Sequence, residues 1–534
     1  MDPRNGEWSA SEAASTLPEL LERSAQRWPD RVAVVDERGA WTYRGLLLAA
    51  TRMAGGLAAA GVREADVVGL WLPNSAFWLQ THVALAHLGA VAVGINSRYP
   101  VAETARILSA ADVRTLVVDP GSTGVADSET VAELVAMPEV ELATVISRAG
   151  RLALPDGVAS LDANTLPTRT APLRATPETP STVFTSSGST GTPKLILHSQ
   201  GGVSLHSDAI AASFGYTAPD AVVLGQLPLC GVWGFNTVYA ALAGGATVVL
   251  MQRFDAAAAV QLVERHRVTH ANGPDLFVRQ LLAAAESDRQ SVGSLRAIGF
   301  STFSNDSREL VDLGDRFGVT LFQVYGSSEQ QALMVHQPLD ADPERRAVPG
   351  GPPTNPATRM RVRDADSGEL LGFDAPGLLE TTGPNVMLGY LGRDGIDTSA
   401  FTDDGWLRTG DIAMTTQAGL HYLSRAKDVL RLSGFLVDPA EIEQRIEEFP
   451  AVVEAKVVGI DTARGSRCVA FVRTADPNRF DEEQLLTACR RSLASFKVPV
   501  RIFPVAEFPR VDGANGPRIQ RLALRTMAAE RLTA

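Results

Sequence analysis

Phe184-Thr185-Ser186-Ser187-Gly188-Ser189-Thr190-Gly191-Thr192-Pro193-Lys194 is the stretch around which the rest of the chain is organised. Its hydroxyl side chains, two glycines and closing lysine allow backbone N–H groups, O–H donors and an ammonium to converge on one anion, polyphosphate being the natural guest. Glycine permits the left-handed turns that aim successive N–H groups inward and so form a phosphate nest. The same composition also suits a solvated Ser/Thr/Gly loop. A Gly-Lys-Ser/Thr ending is missing, as is a G-x-G-x-x-G spacing, which excludes a Walker A loop and a dinucleotide fingerprint. Ser181-Thr182-Val183-Phe184 and Leu195-Ile196-Leu197 read as short strands, so the loop is expected to join two strands instead of opening a helix.

A chain of 534 residues implies two or more domains. With 45% apolar and 21% charged residues it has a globular balance. The net charge of −12 disfavours nucleic acid and anionic membranes as partners, so any phosphate ligand must be held by a local site. Cys230, Cys468 and Cys489 are widely spaced, with no paired motif and no signal peptide, which points to a reducing cytoplasm. The longest apolar runs, such as 238–250, contain glycines and fall short of the ~20 residues that span a bilayer.

Strand and helix patterns alternate along the first part of the chain. Leu17–Trp28 has helical spacing, Val32–Val35 and Trp41–Tyr43 read as a strand pair, and an Ala-rich helix over Leu46–Ala60 is expected to end at Gly61. Val67–Leu72 is strand-like and Phe77–Leu88 helical, closed by Gly89. Further on come a strand over Ala221–Leu227, a helix over Val232–Ala243 and a strand over Val319–Val324. That last strand delivers Tyr325-Gly326-Ser327-Ser328-Glu329 to its end, where α/β proteins bind ligands. A smaller unit begins near Lys427, with strands at Val452–Val458 and Val469–Val472 and a helix over Glu482–Leu493. The expected fold is therefore α/β: a large layered α/β N-terminal domain, residues 1–427, and a small α+β C-terminal domain on a hinge, residues 428–534.

Taken together and in this order, the motifs resemble the adenylate-forming superfamily of acyl-CoA synthetases, nonribosomal adenylation domains and luciferases. The resemblance runs nearly end to end. It implies that Thr185, Ser186, Ser187, Gly188, Ser189, Thr190, Gly191 and Lys194 hold the β- and γ-phosphates of ATP. Ser328 would meet the α-phosphate, Glu329 would ligate Mg2+ and Tyr325 would lie near the adenine. In Trp406-Leu407-Arg408-Thr409-Gly410-Asp411 the carboxylate of Asp411 would accept from the ribose hydroxyls, which suits a group that only accepts. Arg425-Ala426-Lys427-Asp428 and Ser433-Gly434 fit the family's hinge region, with Arg425 a nucleotide ligand, Lys427 at the pivot and Gly434 lining the path of CoA.

The resemblance also exposes departures. In Asn515-Gly516-Pro517-Arg518-Ile519-Gln520 an arginine stands where the family carries the lysine that serves adenylation. A planar guanidinium does not replace a compact ammonium at a geometrically exacting site. Leu227-Pro228-Leu229-Cys230-Gly231 stands where the family commonly carries an aromatic and a histidine near the acyl pocket, where Trp233 and Phe303 are also expected, and this leads to the expectation of an enlarged or open region. The function implied is acyl-CoA formation through an acyl-adenylate, weak in adenylation and acting mainly on acyl-AMP with CoA, the acyl-AMP supplied by a separate adenylating enzyme. A complete ATP-dependent ligase, a carrier-protein-loading enzyme and a non-catalytic acyl-AMP binder remain alternatives.

Overall fold

The computed structural model describes residues 14–533 apart from 123–126, 187–192, 288–291, 302–306, 366, 427–429, 433–434, 438, 463–464, 476–479, 494–496 and 514–515. The chain divides into two compact units. The larger comprises Met1–Arg361, Glu380–Thr409 and Thr415–His421, and the smaller Val362–Leu379, Gly410–Met414 and Tyr422–Ala534.

Short β-branched runs bounded by polar turns make the strands of the larger unit. Among the described residues one sheet has nine, in the order Gly395–Asp397, Gly389–Gly392, Lys194–Ser199, Pro180–Ser186, Val91–Ile95, Val67–Trp71, Thr115–Val118, Thr144–Ser147 and Ala159–Asp162. From Pro180–Ser186 onward its neighbours pair in parallel. Parallel strands need cover on both faces, which is why they read as near-continuous apolar runs. A second sheet has eight strands, in the order Val335–His336, Thr320–Tyr325, Ala297–Ser301, His270–Pro274, Val222–Gly225, Thr247–Leu250, Val32–Asp36 and Gly39–Thr42.

Two helices, Ala76–Leu88 and Val232–Gly244, share one apolar core with the inner faces of both sheets. All but His87 of the first and all but Ala243 of the second are buried, the polar Gln80, Thr81, His82, Asn236 and Thr237 included. Outer helices Ala256–His266, Asp275–Ser287 and Ser307–Arg316 cover the eight-stranded sheet, while Val101–Ala110 and Ser128–Val135 cover the nine-stranded one. The layered α/β expectation therefore holds. Pro180–Ser186 and Lys194–Ser199 form an antiparallel pair with Ser186 opposite Lys194, so the hydroxyl-rich loop does join two strands. One expected helix runs Tyr43–Ala59 instead of 46–60. The Thr42 hydroxyl accepts from the Gly45 N–H and starts it early, and Ala60, not Gly61, caps its end.

The smaller unit is α+β. Val452–Thr462 and Gly465–Thr474 pair antiparallel, and Ile502–Pro504 adds in parallel. Glu443, on the helix Pro439–Glu447, is buried and accepts from Val457 N at 2.9 Å and Arg521 Nη1 at 2.8 Å. A buried carboxylate persists only when it is paired in this way. Arg521 thereby anchors the chain three residues beyond Arg518. Among the described residues no helix is long and apolar enough to cross a membrane.

Four histidines of the larger unit are buried as neutral rings. Burial pushes His82 down to about 3 and His198, His206 and His270 down to about 4, Arg296 adding to the effect at His270. An unfolded imidazole binds a proton near pH ~6.5, so the unfolded chain takes up more protons than the folded one between that value and the folded values. Stability is complete above about pH 6.5 and declines as pH falls through this window. The urea midpoint at pH 5 is accordingly expected to lie well below that at pH 7.5, whereas pH 7.5 and 8.5 give the same midpoint.

Candidate active site

The strand Thr320–Tyr325 ends at Tyr325, and the chain passes through Gly326 and Ser327 into a single 3-10 turn, Ser328–Gln330. A side chain at Gly326 would lie 2.8 Å from Ala332 Cα, so only glycine lets the segment fold back on itself here. Gln331, Ala332 and Leu333 then adopt φ of 59°, 50° and 43°. Three successive non-glycine residues in the left-handed region cost roughly 1–2 kcal/mol each. Strain of this kind persists only where the surroundings over-determine it.

They do so through the carbonyls. His198 Nε2 donates to Ser328 O at 2.8 Å, Met387 N to Glu329 O at 2.9 Å and Asn385 Nδ2 to Gln330 O at 2.9 Å. Asn236 Nδ2 donates to Gln331 O at 2.8 Å, His206 Nε2 to Ala332 O at 3.0 Å and Thr354 Oγ1 to Leu333 O at 2.6 Å. Every carbonyl from 328 to 333 is thus bonded, by groups from separate parts of the larger unit. The outcome is a rigid mount for Ser328 and Glu329. None of these donors was expected from sequence. Asn236, in the mostly apolar helix Val232–Gly244, was the one available signal, since a buried amide must find partners.

Glu329 in turn meets the hydroxyl-rich hairpin. Tyr390 Oη donates to Glu329 Oε1 at 3.1 Å, and Lys194 Nζ donates to Tyr390 Oη at 3.3 Å, with the ammonium 4.6 Å from the ring centroid. Tyr390 reaches both because its strand pairs with Lys194–Ser199, opposite Ile196. Residues 194, 329 and 390 so converge. The first two were expected and Tyr390 was not. The Tyr99 phenol is pushed up to about 12 by burial, then by Cys230 and Glu103.

Cys230 is buried, and burial pushes its thiol up to about 12, leaving it protonated and unreactive. Gly231 caps the helix Val232–Gly244, and Trp233 is buried just inside it. The expectation that small residues here leave the region open does not hold at this loop. A Cβ on Gly94 would lie 2.8 Å from Cys230 Cα, and one on Gly234 would lie 2.6 Å from Leu227 O. At both glycines the backbone of the loop lies too close for a side chain to fit between.

In the smaller unit Asp411 is buried, and Arg425 Nε stands 3.0 Å from its Oδ1. Gly410, at φ +73°, turns the strand Leu407–Thr416 so that its carbonyl accepts from Ala426 N at 2.9 Å. Two residues expected at the nucleotide therefore form one ion pair. Ser187, Gly188, Ser189, Thr190, Gly191, Phe303, Lys427 and Gly434 lie outside the described residues. Ser186 and Arg518 are described only by their backbones, Arg518 pairing with Val511 in the hairpin Arg510–Gly513 and Gly516–Ile519.

Residues 21–391 match the AMP-binding enzyme family and residues 441–513 the AMP-binding enzyme C-terminal domain. The chain is 30% identical over 529 residues to a sulfoacetate–CoA ligase of Cupriavidus necator, covering 96% of this chain and 98% of that protein. It is 31% identical over 503 residues to the 3-[(3aS,4S,7aS)-7a-methyl-1,5-dioxo-octahydro-1H-inden-4-yl]propanoyl:CoA ligase of Mycobacterium tuberculosis, covering 93% and 96%. Among solved structures it superposes on the amide bond synthetase McbA of Marinactinospora thermotolerans with a TM-score of 0.80 at 28% identity, covering 96% and 99%. The chain belongs to the AMP-binding enzymes of the adenylate-forming superfamily and is an acid–thiol ligase of the acyl-CoA synthetase kind.

Proposed function

We propose that the protein forms acyl-CoA from a carboxylic acid through an acyl-adenylate, that its adenylation half-reaction is weak, and that thioester formation from acyl-AMP and CoA is its main activity. The observation that carries the nucleotide reading is the convergence of Lys194, Tyr390 and Glu329 beside the hydroxyl-rich hairpin. An ammonium and a carboxylate joined through one phenol suit the two charges that a triphosphate and its cation require. Glu329, a carboxylate oxygen donor of the kind this hard ion favours, would help to hold Mg2+. When bound, Mg2+ would neutralise charge on the phosphates as the carboxylate approaches.

The chain's own residues supply the rest. Lys194 would leave Tyr390 for the outer phosphates, Ser328 would bond the α-phosphate, and the mount behind it would hold that bond in place. In the smaller unit Asp411 would accept from the ribose hydroxyls with Arg425 fixing its carboxylate. The residue at 518 belongs to adenylation in the family pattern, whereas Gly434 and Lys427 belong to the hinge and the thiol path. In this reading residues 1–427 and 428–534 act as the two moving domains, and a separate enzyme supplies acyl-AMP in the cytoplasm.

Lys194→Ala tests the assignment. Acid-dependent ATP–pyrophosphate exchange is expected to fall on the order of a hundredfold, in line with loss of a charge-stabilising donor. CoA consumption from synthetic acyl-AMP, which has no outer phosphates, is expected to hold within about twofold, a free-energy change of roughly 0.4 kcal/mol. An equal loss in both assays would show that the hairpin acts in thioester formation as well.

A further inference from the structure

We propose that His206 is a positioning residue for Glu329: by holding the carbonyl of Ala332 it keeps closed the loop that presents Ser328 and Glu329. The inference rests on the ligase reading, in which Glu329 helps to hold Mg2+. His206 is fully buried, so it acts only through the groups it touches.

The loop is closed at its neck by the backbone. Ala332 N donates to Ser327 O at 2.8 Å, and Ser328 and Glu329 lie between these two residues. The neck is also where the backbone is strained. Gln331, Ala332 and Leu333 take left-handed φ without glycine's freedom, so an alanine at 332 left to itself would return to the right-handed or extended region. That return would turn its N–H away from Ser327 O and let the loop open.

The hydrogen bond on the other side of the residue opposes this. His206 Nε2 donates to Ala332 O at 3.0 Å, and among the described residues it is the one donor to that carbonyl. A carbonyl only accepts, so the proton of the neutral ring sits on Nε2 and a single tautomer is fixed. Ser328 O differs. It accepts from Gln331 N at 3.4 Å as well as from His198 Nε2 at 2.8 Å, so the loss of one donor leaves the other. The Ala332 carbonyl has no such reserve, and a buried acceptor stripped of its donor is costly.

The chain's path gives this bond a second consequence. His206 lies on the helix Gln200–Ser213, which directly follows the strand Lys194–Ser199 that carries His198. One short run therefore bears Lys194 at its start and grips the turn at both ends, at Ser328 O by His198 and at Ala332 O by His206. Lys194 and Glu329 thereby share one frame.

The test uses the full-length protein with His206→Leu, His206→Asn, His206→Gln and the double variant His206→Leu with Ala332→Gly. Leucine removes the donor, asparagine is too short to set its amide where Nε2 stands, and glutamine sets an N–H near that place. Two quantities are read: the gain in ATP affinity that Mg2+ brings, by calorimetry, and the Mg2+ concentration for half-maximal ATP–pyrophosphate exchange with the true acid. In His206→Leu and His206→Asn the gain is expected to shrink about tenfold and the half-maximal concentration to rise about tenfold, comparable to the loss of a group that orients a metal ligand. Glutamine is expected to stay within about twofold of the parent. Ala332→Gly is expected to restore most of the loss in His206→Leu, because glycine keeps the left-handed neck without help. Thermal melting reads folding separately. A lowered melting temperature with the parent's Mg2+ dependence would mean a purely structural role and overturn the proposal. So would a glutamine variant as impaired as the leucine one, a loss that Ala332→Gly leaves in place, or a parent whose ATP binding ignores Mg2+. If Mg2+-dependent ATP binding follows the expected order but no acid yields exchange or thioester, the ligase reading fails and the role of His206 stands. His206→Asn against His206→Gln decides the matter if His206→Leu does not fold.

Discussion

Replacing Arg518 by lysine raises acid-dependent ATP–pyrophosphate exchange by tenfold or more, while thioester formation from acyl-AMP and CoA stays within about twofold; tenfold corresponds to about 1.4 kcal/mol of barrier. The physical reason is the shape of the charge. A guanidinium spreads its charge over a flat fork and suits bidentate contacts, whereas an ammonium concentrates it at one point that fits between a carboxylate and an α-phosphate. Adenylation requires these two anions to meet, so the cation between them matters most there. The second half-reaction expels AMP and involves no approach of two anions. The measurement is isotope exchange with the true acid, run beside CoA consumption from synthetic acyl-AMP. Brisk exchange in the parent protein, left unchanged by Arg518→Lys, would sink the idea of weak adenylation.

Glu329→Gln is the other large effect expected. The amide oxygen still accepts from Tyr390 Oη, now 3.1 Å from Glu329 Oε1, so the mount is preserved and only the charge is lost. Exchange falls by roughly a hundredfold, and the Mg2+ concentration for half-maximal exchange rises about tenfold, comparable to the loss of a metal-site group. Thioester formation from acyl-AMP changes little. A variant with the parent's Mg2+ dependence would remove Glu329 from the cation's surroundings and leave it as a structural partner of Tyr390.

Much of the fold was legible because the signals that encode it are local. Thr16 and Glu19 close a capping box at the start of Leu17–Arg27, Gly89 takes the left-handed cap after Ala76–Leu88, and apolar runs fix the parallel strands. The motifs at 184–194, 325–329 and 406–411 were legible for the same reason. Tyr390 was not. Its hydroxyl meets residues 61 and 196 positions away, and nothing in Gly389-Tyr390 announces either. His198 and His206 were equally hidden, since they act on carbonyls 130 and 126 positions away. The loop at Cys230 shows a different limit. Small side chains suggested open space, but packing closes a gap wherever glycine lets backbones approach, as Gly94 does here.

By itself the sequence determined the layered α/β class, the hairpin that carries Lys194, the order of the nucleotide motifs and the arginine at 518, because each is written in a short run of residues or in the order of such runs. The tertiary structure alone decided how Glu329 is held and what Lys194 touches. Those are contacts between elements far apart in the chain. They arise when buried polar groups must find partners, and which partner each one finds is decided only when the sheets and helices have closed around them.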